Sequence, residues 1–165
     1  MAAVHYSGHE ITQVLTNLTN SLELMDRVVY KGNNSFRHAK FFNAFKQIHR
    51  QLWKHILRNN LQCLVIQTLK QIPMSEGEDI HPKSILQLNK GLIQINLTLN
   101  YIARIKKGAM VRFVKETSAL LDIGHHIAFC QVSLGVLGEV NGEINKLIPF
   151  LNLYKDTINK SLLVN

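Results

Sequence analysis

Apolar residues recur at spacings of three and four along most of this chain, and that period constrains its fold more than any other feature. The first run is Ile11, Val14, Leu15, Leu18, Leu22, Met25 and Val29. Because a turn of α-helix takes about 3.6 residues, these side chains share one face of a helix, placed at about residues 9 to 30. No segment alternates apolar and polar residues for long enough to predict a β-strand. The sequence therefore predicts an all-α fold.

The stretch from Arg27 to Lys70 contains nine lysines and arginines and no aspartate or glutamate. Within it, a predicted second helix has an apolar stripe on one side and cations on the other. The stripe is Phe41, Phe45, Ile48, Leu52 and Ile56, and the cations are Lys46, Arg50, Lys54 and Arg58. Cations four residues apart repel by a few tenths of a kcal/mol per pair. A solvated face normally mixes both signs, so this one favours an anionic partner.

Three stretches of loop composition divide the chain. Residues 31–36, KGNNSF, cluster glycine, asparagine and serine, which predicts a turn before the second helix. Residues 73–83, PMSEGEDIHPK, combine two prolines with three acids and predict an acidic loop. Between these, Asn59 and Asn60 either kink the second helix or end it, and the pattern leaves both possibilities open.

Helical periods continue after the acidic loop, at residues 84–107, 109–124 and 125–148. The last two are either separate helices or one helix interrupted at Gly124. Pro149 is predicted to open a final helix, because proline is tolerated in a first turn. Gly135, Gly138 and Gly142 weaken a helix interior, so they predict a face that another backbone approaches closely. The expected architecture is a single domain covering residues 1–165, a bundle of five or six helices.

The composition limits the classes of partner. A chain of 165 residues with 46% apolar and 18% charged residues is long enough to bury one core. Its net charge of +8 favours nucleic acid, an anionic membrane or an acidic protein. The N-terminus lacks the pattern of a secretory signal, and no apolar stretch reaches the roughly 20 residues of a membrane span. Cys63 and Cys130 lack metal-binding spacing, so we expect a soluble protein with reduced thiols and no disulfide.

No catalytic constellation can be assembled from the titratable residues. His5 and His9 have the spacing of metal ligands on a helix, but no glutamate follows His5 as the zinc-protease motif requires. His125 and His126 are adjacent, so on a helix they point about 100° apart. Phosphate-binding glycine loops, nucleophile motifs and paired catalytic carboxylates are missing from the sequence. We therefore expect a protein that is not an enzyme and that binds no cofactor and no metal.

The aromatic residues of the basic stretch divide into two predicted groups. Phe41 and Phe45 lie on the apolar stripe and are expected in the core. Phe36, Phe42 and Trp53 lie away from the centre of the stripe, so they are the candidates for stacking on unpaired bases.

Two segments carry a resemblance to a known family. Residues 33–54, NNSFRHAKFFNAFKQIHRQLWK, contain an asparagine pair, an Arg-His doublet, an aromatic pair and two later positions: Asn33, Asn34, Arg37, His38, Phe41, Phe42, Phe45 and Arg50. Residues 127–147 form an apolar helix with Gln131 and Gly135 at matching places. Together they resemble the family of the RNase MRP-specific protein subunit, which includes the nucleolus and neural progenitor protein. The doublet reads Arg-His rather than His-Arg, and the family's lysine-rich tail is missing, which suggests a short member or a truncated chain.

The resemblance implies a non-catalytic, RNA-binding subunit of the ribonuclease MRP ribonucleoprotein, which processes ribosomal RNA precursors in the nucleus and nucleolus. The implied partners are the RNase MRP RNA and other protein subunits of the RNase P/MRP particle, without a membrane or small-molecule substrate. The candidate RNA-binding residues are Lys31, Asn33, Asn34, Arg37, His38, Lys40, Phe42, Lys46, Arg50, Trp53, Lys54 and Arg58. A secondary basic cluster, Arg104, Lys106 and Lys107, lies in the last turn of the helix predicted at residues 84–107. Cations are also favourable at the C-terminus of a helix because of its dipole. The alternative is a helical adaptor that binds an acidic protein partner without RNA.

Overall fold

Helices account for nearly all of the part of the chain described by the computed structural model, residues 2–71 and 82–163. The α-helices are α1 (Ala2–Phe36), α2 (Lys40–Leu52), α3 (Leu61–Leu69), α4 (Pro82–Ile105), α5 (Val111–Asp122) and α6 (Ile127–Leu163). A π-helical segment, Trp53–Arg58, continues α2, and another, Lys106–Met110, joins α4 to α5. The all-α prediction is confirmed. Of the predicted acidic loop, residues 73–81 lie outside the described residues, and residues 82 and 83 begin α4.

The elements form four long helical rods: α1, α2 with Trp53–Arg58, α4 through Lys106–Met110 to α5, and α6. The short helix α3 follows the second rod after a turn. Helix α1 packs against α2 and α6, α2 packs against α5, and α4 packs against α3 and α6. The bundle therefore has four long, bent helices rather than the predicted five or six, because the π-helical segments carry the chain on without a break. Among the described residues, no helix combines the length and apolar character needed to cross a membrane.

The predicted apolar stripe of α2 lies in the centre of the bundle. Phe41, Phe45, Ile48, Leu52 and Ile56 are all at most 4% exposed. The ring of Phe45 lies 5.0 Å from the ring of Phe113 in α5, measured between centroids. The prediction for these five residues is confirmed, and the opposite side of α2 is thereby left facing outward.

Helix α1 runs straight through the predicted turn at residues 31–36, so that prediction was wrong. The reason is an aromatic cluster at this end of the bundle, in which Phe36 lies 4.5 Å from Phe129 and 5.5 Å from Phe41. Gly32 is buried in the same cluster. The turn comes later, where the Ala39 N–H donates to the Phe36 carbonyl at 2.9 Å. The N-cap residue of α2 is Ala39, which makes no side-chain hydrogen bond to the helix.

The helices are interrupted at two places where the backbone turns left-handed. Asn60 has φ of 47°, and its side chain accepts a hydrogen bond from the Cys63 N–H at 3.3 Å, which caps α3. The region from α2 to α3 is therefore two helices. Gly124 has φ of 74° in the turn between α5 and α6, so the interruption predicted there is confirmed.

Pro149 does not open a last helix, because it lies inside α6. The buried residues Ile144, Leu147, Leu151 and Tyr154 continue one apolar stripe on both sides of the proline. Burial of this stripe stabilises the helix across Pro149, although proline removes one backbone hydrogen bond.

The predicted close approach at Gly135, Gly138 and Gly142 was also wrong, because a Cβ on any of the three would meet no atom within 4 Å. A close approach exists instead at Gly32. There, a Cβ would lie 2.6 Å from Cζ of Phe129 and 2.7 Å from Cε2 of Phe42. The glycine lets two packed rings touch the α1 backbone.

Alanine substitutions at Gly32 and Gly135 are expected to change stability in opposite directions. Gly135→Ala should raise the free energy of unfolding by up to about 1 kcal/mol, because alanine is the better helix former. Gly32→Ala should lower it by about 1 to 3 kcal/mol, because the new methyl group displaces Phe42 and Phe129. Urea denaturation of both variants measures the difference. Equal shifts would mean that the two rings move aside freely.

Candidate nucleic-acid interface

The outward face of α2 and the adjoining edge of α1 form an open groove of about 570 Å³, here called the central groove. Its lining residues are Val29, Asn43, Lys46, Gln47, His49, Arg50 and Gln51. Two cations, three amides and an imidazole therefore converge on one concave surface. The groove exists because the apolar stripe of α2 points inward and leaves this polar side uncovered.

Lys46 connects the central groove to the turn between α1 and α2. Its Nζ donates to the Arg37 carbonyl at 3.5 Å and lies 5.0 Å from the centre of the Phe42 ring. The Arg37 Nε donates to Nε2 of His38 at 3.2 Å. Arg37 and His38 are both exposed. The outward side of α2, which carries Lys46 and Arg50, is here called the basic face. The structure thus brings the predicted Arg-His doublet together with Lys46, the first cation of this face.

Arg112 of α5 extends the basic face and was missed by the sequence analysis. Its guanidinium donates to Oε1 of Gln47 at 2.7 Å. Gln47 and Arg112 are 65 positions apart, and only the packing of α5 against α2 makes them neighbours. No local pattern could have selected Arg112.

An acidic residue lies at the edge of the basic face, contrary to the expectation from the stretch 27–70. The carboxylate of Asp26, one residue before that stretch, is 3.5 Å from Nε2 of His49. Burial lowers the pKa of His49, the neighbouring Asp26 carboxylate works against this by raising it, and Arg50 lowers it further. The net effect is a lowered pKa, so His49 holds a proton less readily than a histidine in water.

The stability of the bundle is expected to fall as the pH drops below 6.5. Below this ordinary value the unfolded chain takes up a proton at His49, whereas the folded chain, with its lowered pKa, resists doing so. The same holds for His55, whose pKa is lowered by burial and then by Lys54. Stability from these groups is therefore complete above pH 6.5 and is lost as the pH falls through their folded pKa values.

Urea denaturation of His49→Phe at pH 7.5 and 5.5 measures the His49 contribution. We expect a smaller loss of midpoint between the two pH values than in the parent, with His38→Gln, an exposed site, as the control. A fall identical to that of the parent would contradict this assignment.

Of the three aromatic residues predicted to stack on bases, only Trp53 is exposed. Phe42 is fully buried and Phe36 is partly buried in the aromatic cluster, so neither is available for stacking in this structure. Trp53 is 37% exposed, with its ring 5.4 Å from that of His49. Tyr30, which the sequence analysis did not select, is 83% exposed. Tyr30 follows Val29 and therefore lies off the apolar stripe of α1. Its position next to the stripe could have identified it as an exposed aromatic residue from the sequence.

The other candidate RNA-binding residues between Lys31 and Arg58 are exposed, but they lie on different helices. Lys31, Asn33 and Asn34 lie on the outer side of α1 rather than in a loop. Lys40 begins α2, and Lys54 and Arg58 lie in the π-helical segment. The backbone hydrogen bonds of a π-helix join residues five apart rather than four, so Lys54 and Arg58 do not continue the α-helical spacing of Lys46 and Arg50. The four cations predicted on one side of the second helix are thus divided between α2 and the π-helical segment.

The secondary basic cluster is not at a helix terminus, because the rod continues through Lys106–Met110 into α5. The explanation of Arg104, Lys106 and Lys107 by a helix dipole was thus wrong. The Lys106 Nζ donates to the Asn145 side chain of α6, whereas Arg104 and Lys107 are exposed. Lys106 holds two rods together, and only the other two cations are available to a partner.

Cys63 and Cys130 are free thiols, and burial raises the pKa of Cys130. Within residues 2–71 and 82–163, no group of three or more histidine, cysteine, aspartate and glutamate residues is placed to hold a metal ion. Comparisons with protein-family models, with curated proteins and with solved structures found no match for this chain. The resemblance described above remains a prediction from the two motifs.

Proposed function

We propose that this chain is a non-catalytic, RNA-binding subunit of the ribonuclease MRP ribonucleoprotein, acting in ribosomal RNA precursor processing in the nucleus and nucleolus. The observation that carries the proposal is the central groove, in which Lys46 and Arg50 lie beside Asn43, Gln47 and Gln51. Phosphate contacts from the cations would hold an RNA strand in register. The amides offer both donors and acceptors, so they suit base edges and ribose hydroxyl groups.

Further side chains support RNA over a simple polyanion. Tyr30 and Trp53 expose aromatic surface on the two helices that form the central groove. Stacking of an unpaired base on an aromatic ring contributes about 1 to 3 kcal/mol. Arg37, Lys54, Arg58 and Arg112 extend the positive surface beyond the groove. A single-stranded or looped region of RNA uses both kinds of contact.

In this proposal the RNA of the particle performs the cleavage, and the protein needs neither a catalytic site nor a cofactor. Contacts to other protein subunits of the RNase P/MRP particle would use a different surface. Leu86, Ile93 and Leu97 are 57%, 60% and 44% exposed, and their spacing of seven and four places them on one face of α4. Exposed apolar residues gathered on one face are typical of protein contacts.

The salt dependence of binding tests the proposal. If Lys46, Arg50, Lys54 and Arg58 each pair with a phosphate, raising the salt from 50 to 200 mM should weaken binding of a single-stranded RNA about 50-fold. Fluorescence anisotropy with a labelled oligonucleotide measures this, and protein purified at low salt should carry RNA, seen as a high 260/280 nm absorbance ratio. An absence of RNA binding, combined with binding of poly-glutamate, would favour the adaptor that recognises an acidic protein.

A further inference from the structure

A second groove lies at the end of the bundle, where the turn between α1 and α2 meets the C-terminal part of α5. This end groove has a volume of about 420 Å³. Phe36, Phe41 and Leu120 contribute apolar surface to it. Lys40 of α2 and Glu116 of α5 line it with opposite charges, and neither forms an ion pair with another described residue. A concave apolar surface with a few polar groups is typical of a ligand site.

The loop from α5 to α6 completes the end groove in an unusual backbone conformation. His126 has φ of 52°, which is uncommon for a residue with a side chain, and its ring lies 4.8 Å from that of Phe36 at 77°. Ile123, just before the left-handed Gly124, is 65% exposed and also lines the groove. The loop thus places an imidazole and an exposed aliphatic side chain beside the apolar surface of the end groove.

The end groove adjoins the central groove across the turn at residues 37–39. The Arg37 carbonyl accepts the hydrogen bond from Lys46 on the side of the central groove. Ala39, two residues later, lines the end groove. A strand held by the cations of α2 therefore has only this turn to cross before one of its nucleotides reaches the end groove.

We propose that the end groove binds one unpaired base of the RNA, with a preference for guanine. This inference rests on the proposed function. The flat faces of a base suit the apolar surface of Leu120 and Ile123, and Lys40 suits its phosphate. The Glu116 carboxylate accepts hydrogen bonds from N–H groups on the base edge. Guanine presents two adjacent N–H donors there, so both carboxylate oxygens are used, as in a two-point arginine pair. An apolar protein side chain would leave Glu116 and Lys40 unused.

The preference is measured by fluorescence anisotropy with a 12-nucleotide oligouridylate and with the same strand carrying one central guanosine, adenosine or cytidine. The guanosine strand is expected to bind the full chain at least about five-fold tighter than oligouridylate. Glu116→Gln should bring the ratio of these two affinities close to one. Ala119→Trp, which fills the groove, should do the same. Ser118→Trp, at an exposed position of the same helix that does not line the groove, should keep the ratio of the parent.

A second readout separates this inference from the proposed function. Guanosine monophosphate should shift the methyl resonances of Ile123 and Leu120 in NMR spectra, and these shifts should be lost in Ala119→Trp. Salt-dependent binding of all four strands with equal affinity would overturn the base site and leave the proposed function standing. Binding of none of them would overturn both. Methyl shifts caused by N-acetyl-leucinamide, without a guanosine preference, would assign the groove to an apolar protein side chain and also overturn the base site.

Discussion

Replacing Lys46 and Arg50 together by glutamate is expected to abolish RNA binding while the bundle stays folded. Both side chains line the central groove, and hydrogen bonds to charged groups are worth about 1.5 to 3 kcal/mol each. Their loss should therefore weaken binding by at least about 100-fold, and the two introduced carboxylates add repulsion. Anisotropy with a labelled single-stranded RNA at 100 mM salt measures the affinity. Circular dichroism and the melting temperature should be nearly unchanged, because neither residue is part of the apolar core.

The matched control is Lys155→Glu with Lys160→Glu on α6. Both double variants change the formal net charge from +8 to +4, since each exchange of a cation for an anion subtracts two. If binding depends on net charge alone, the two double variants should lose affinity equally. The proposed interface predicts a large loss only for the α2 variant, together with a shallower slope of log K against log salt concentration. Unchanged RNA binding by a folded α2 variant would rule out the central groove.

Phe45→Ala is expected to lower the free energy of unfolding by about 3 to 5 kcal/mol. The Phe45 side chain is fully buried and packs 5.0 Å from Phe113, so truncation leaves a cavity between α2 and α5 that the surrounding rods cannot fill. A loss of this size is a large part of the 5 to 15 kcal/mol that stabilises an ordinary domain. Guanidinium denaturation followed by circular dichroism measures it.

Leu97→Ala provides the comparison for Phe45→Ala, because Leu97 is 44% exposed on α4. Truncation there should change stability by about 0.5 kcal/mol or less. Similar losses for the two variants would show that Phe45 is not in the centre of the core.

The parts of the fold that could be predicted from the sequence are those fixed by a local period. The stripe from Phe41 to Ile56 identified the buried side of α2, because helix geometry alone decides which of these residues share a face. The turn predicted at residues 31–36 is not found, because contacts between residues distant in sequence override the local composition. Contacts of Gly32 and Phe36 with Phe129, nearly a hundred positions away in sequence, stabilise helix where the local composition favours a turn.

The candidate site was predictable to a similar degree. The exposure of Lys46 and Arg50 follows directly from the buried face of α2, because residues on the opposite side of an amphipathic helix face solvent. Phe42 was wrongly placed outside, since the α1 backbone at Gly32 comes close enough to cover its ring. Arg112 and the end groove depend on which helices become neighbours, and that information lies in the whole chain rather than in any segment.

The contact between α1 and α6 has a consequence for how this protein is made. These two helices pack along each other, yet α1 is synthesised before α2 to α5, and α6 only after them. While the chain leaves the ribosome, the apolar face of α1 carrying Leu18, Leu22 and Met25 has no α6 to cover it. Neighbouring rods can pair early, because short local connections close quickly. The core is sealed only after α6 emerges, so nascent chains shorter than this are expected to be the species that chaperones bind.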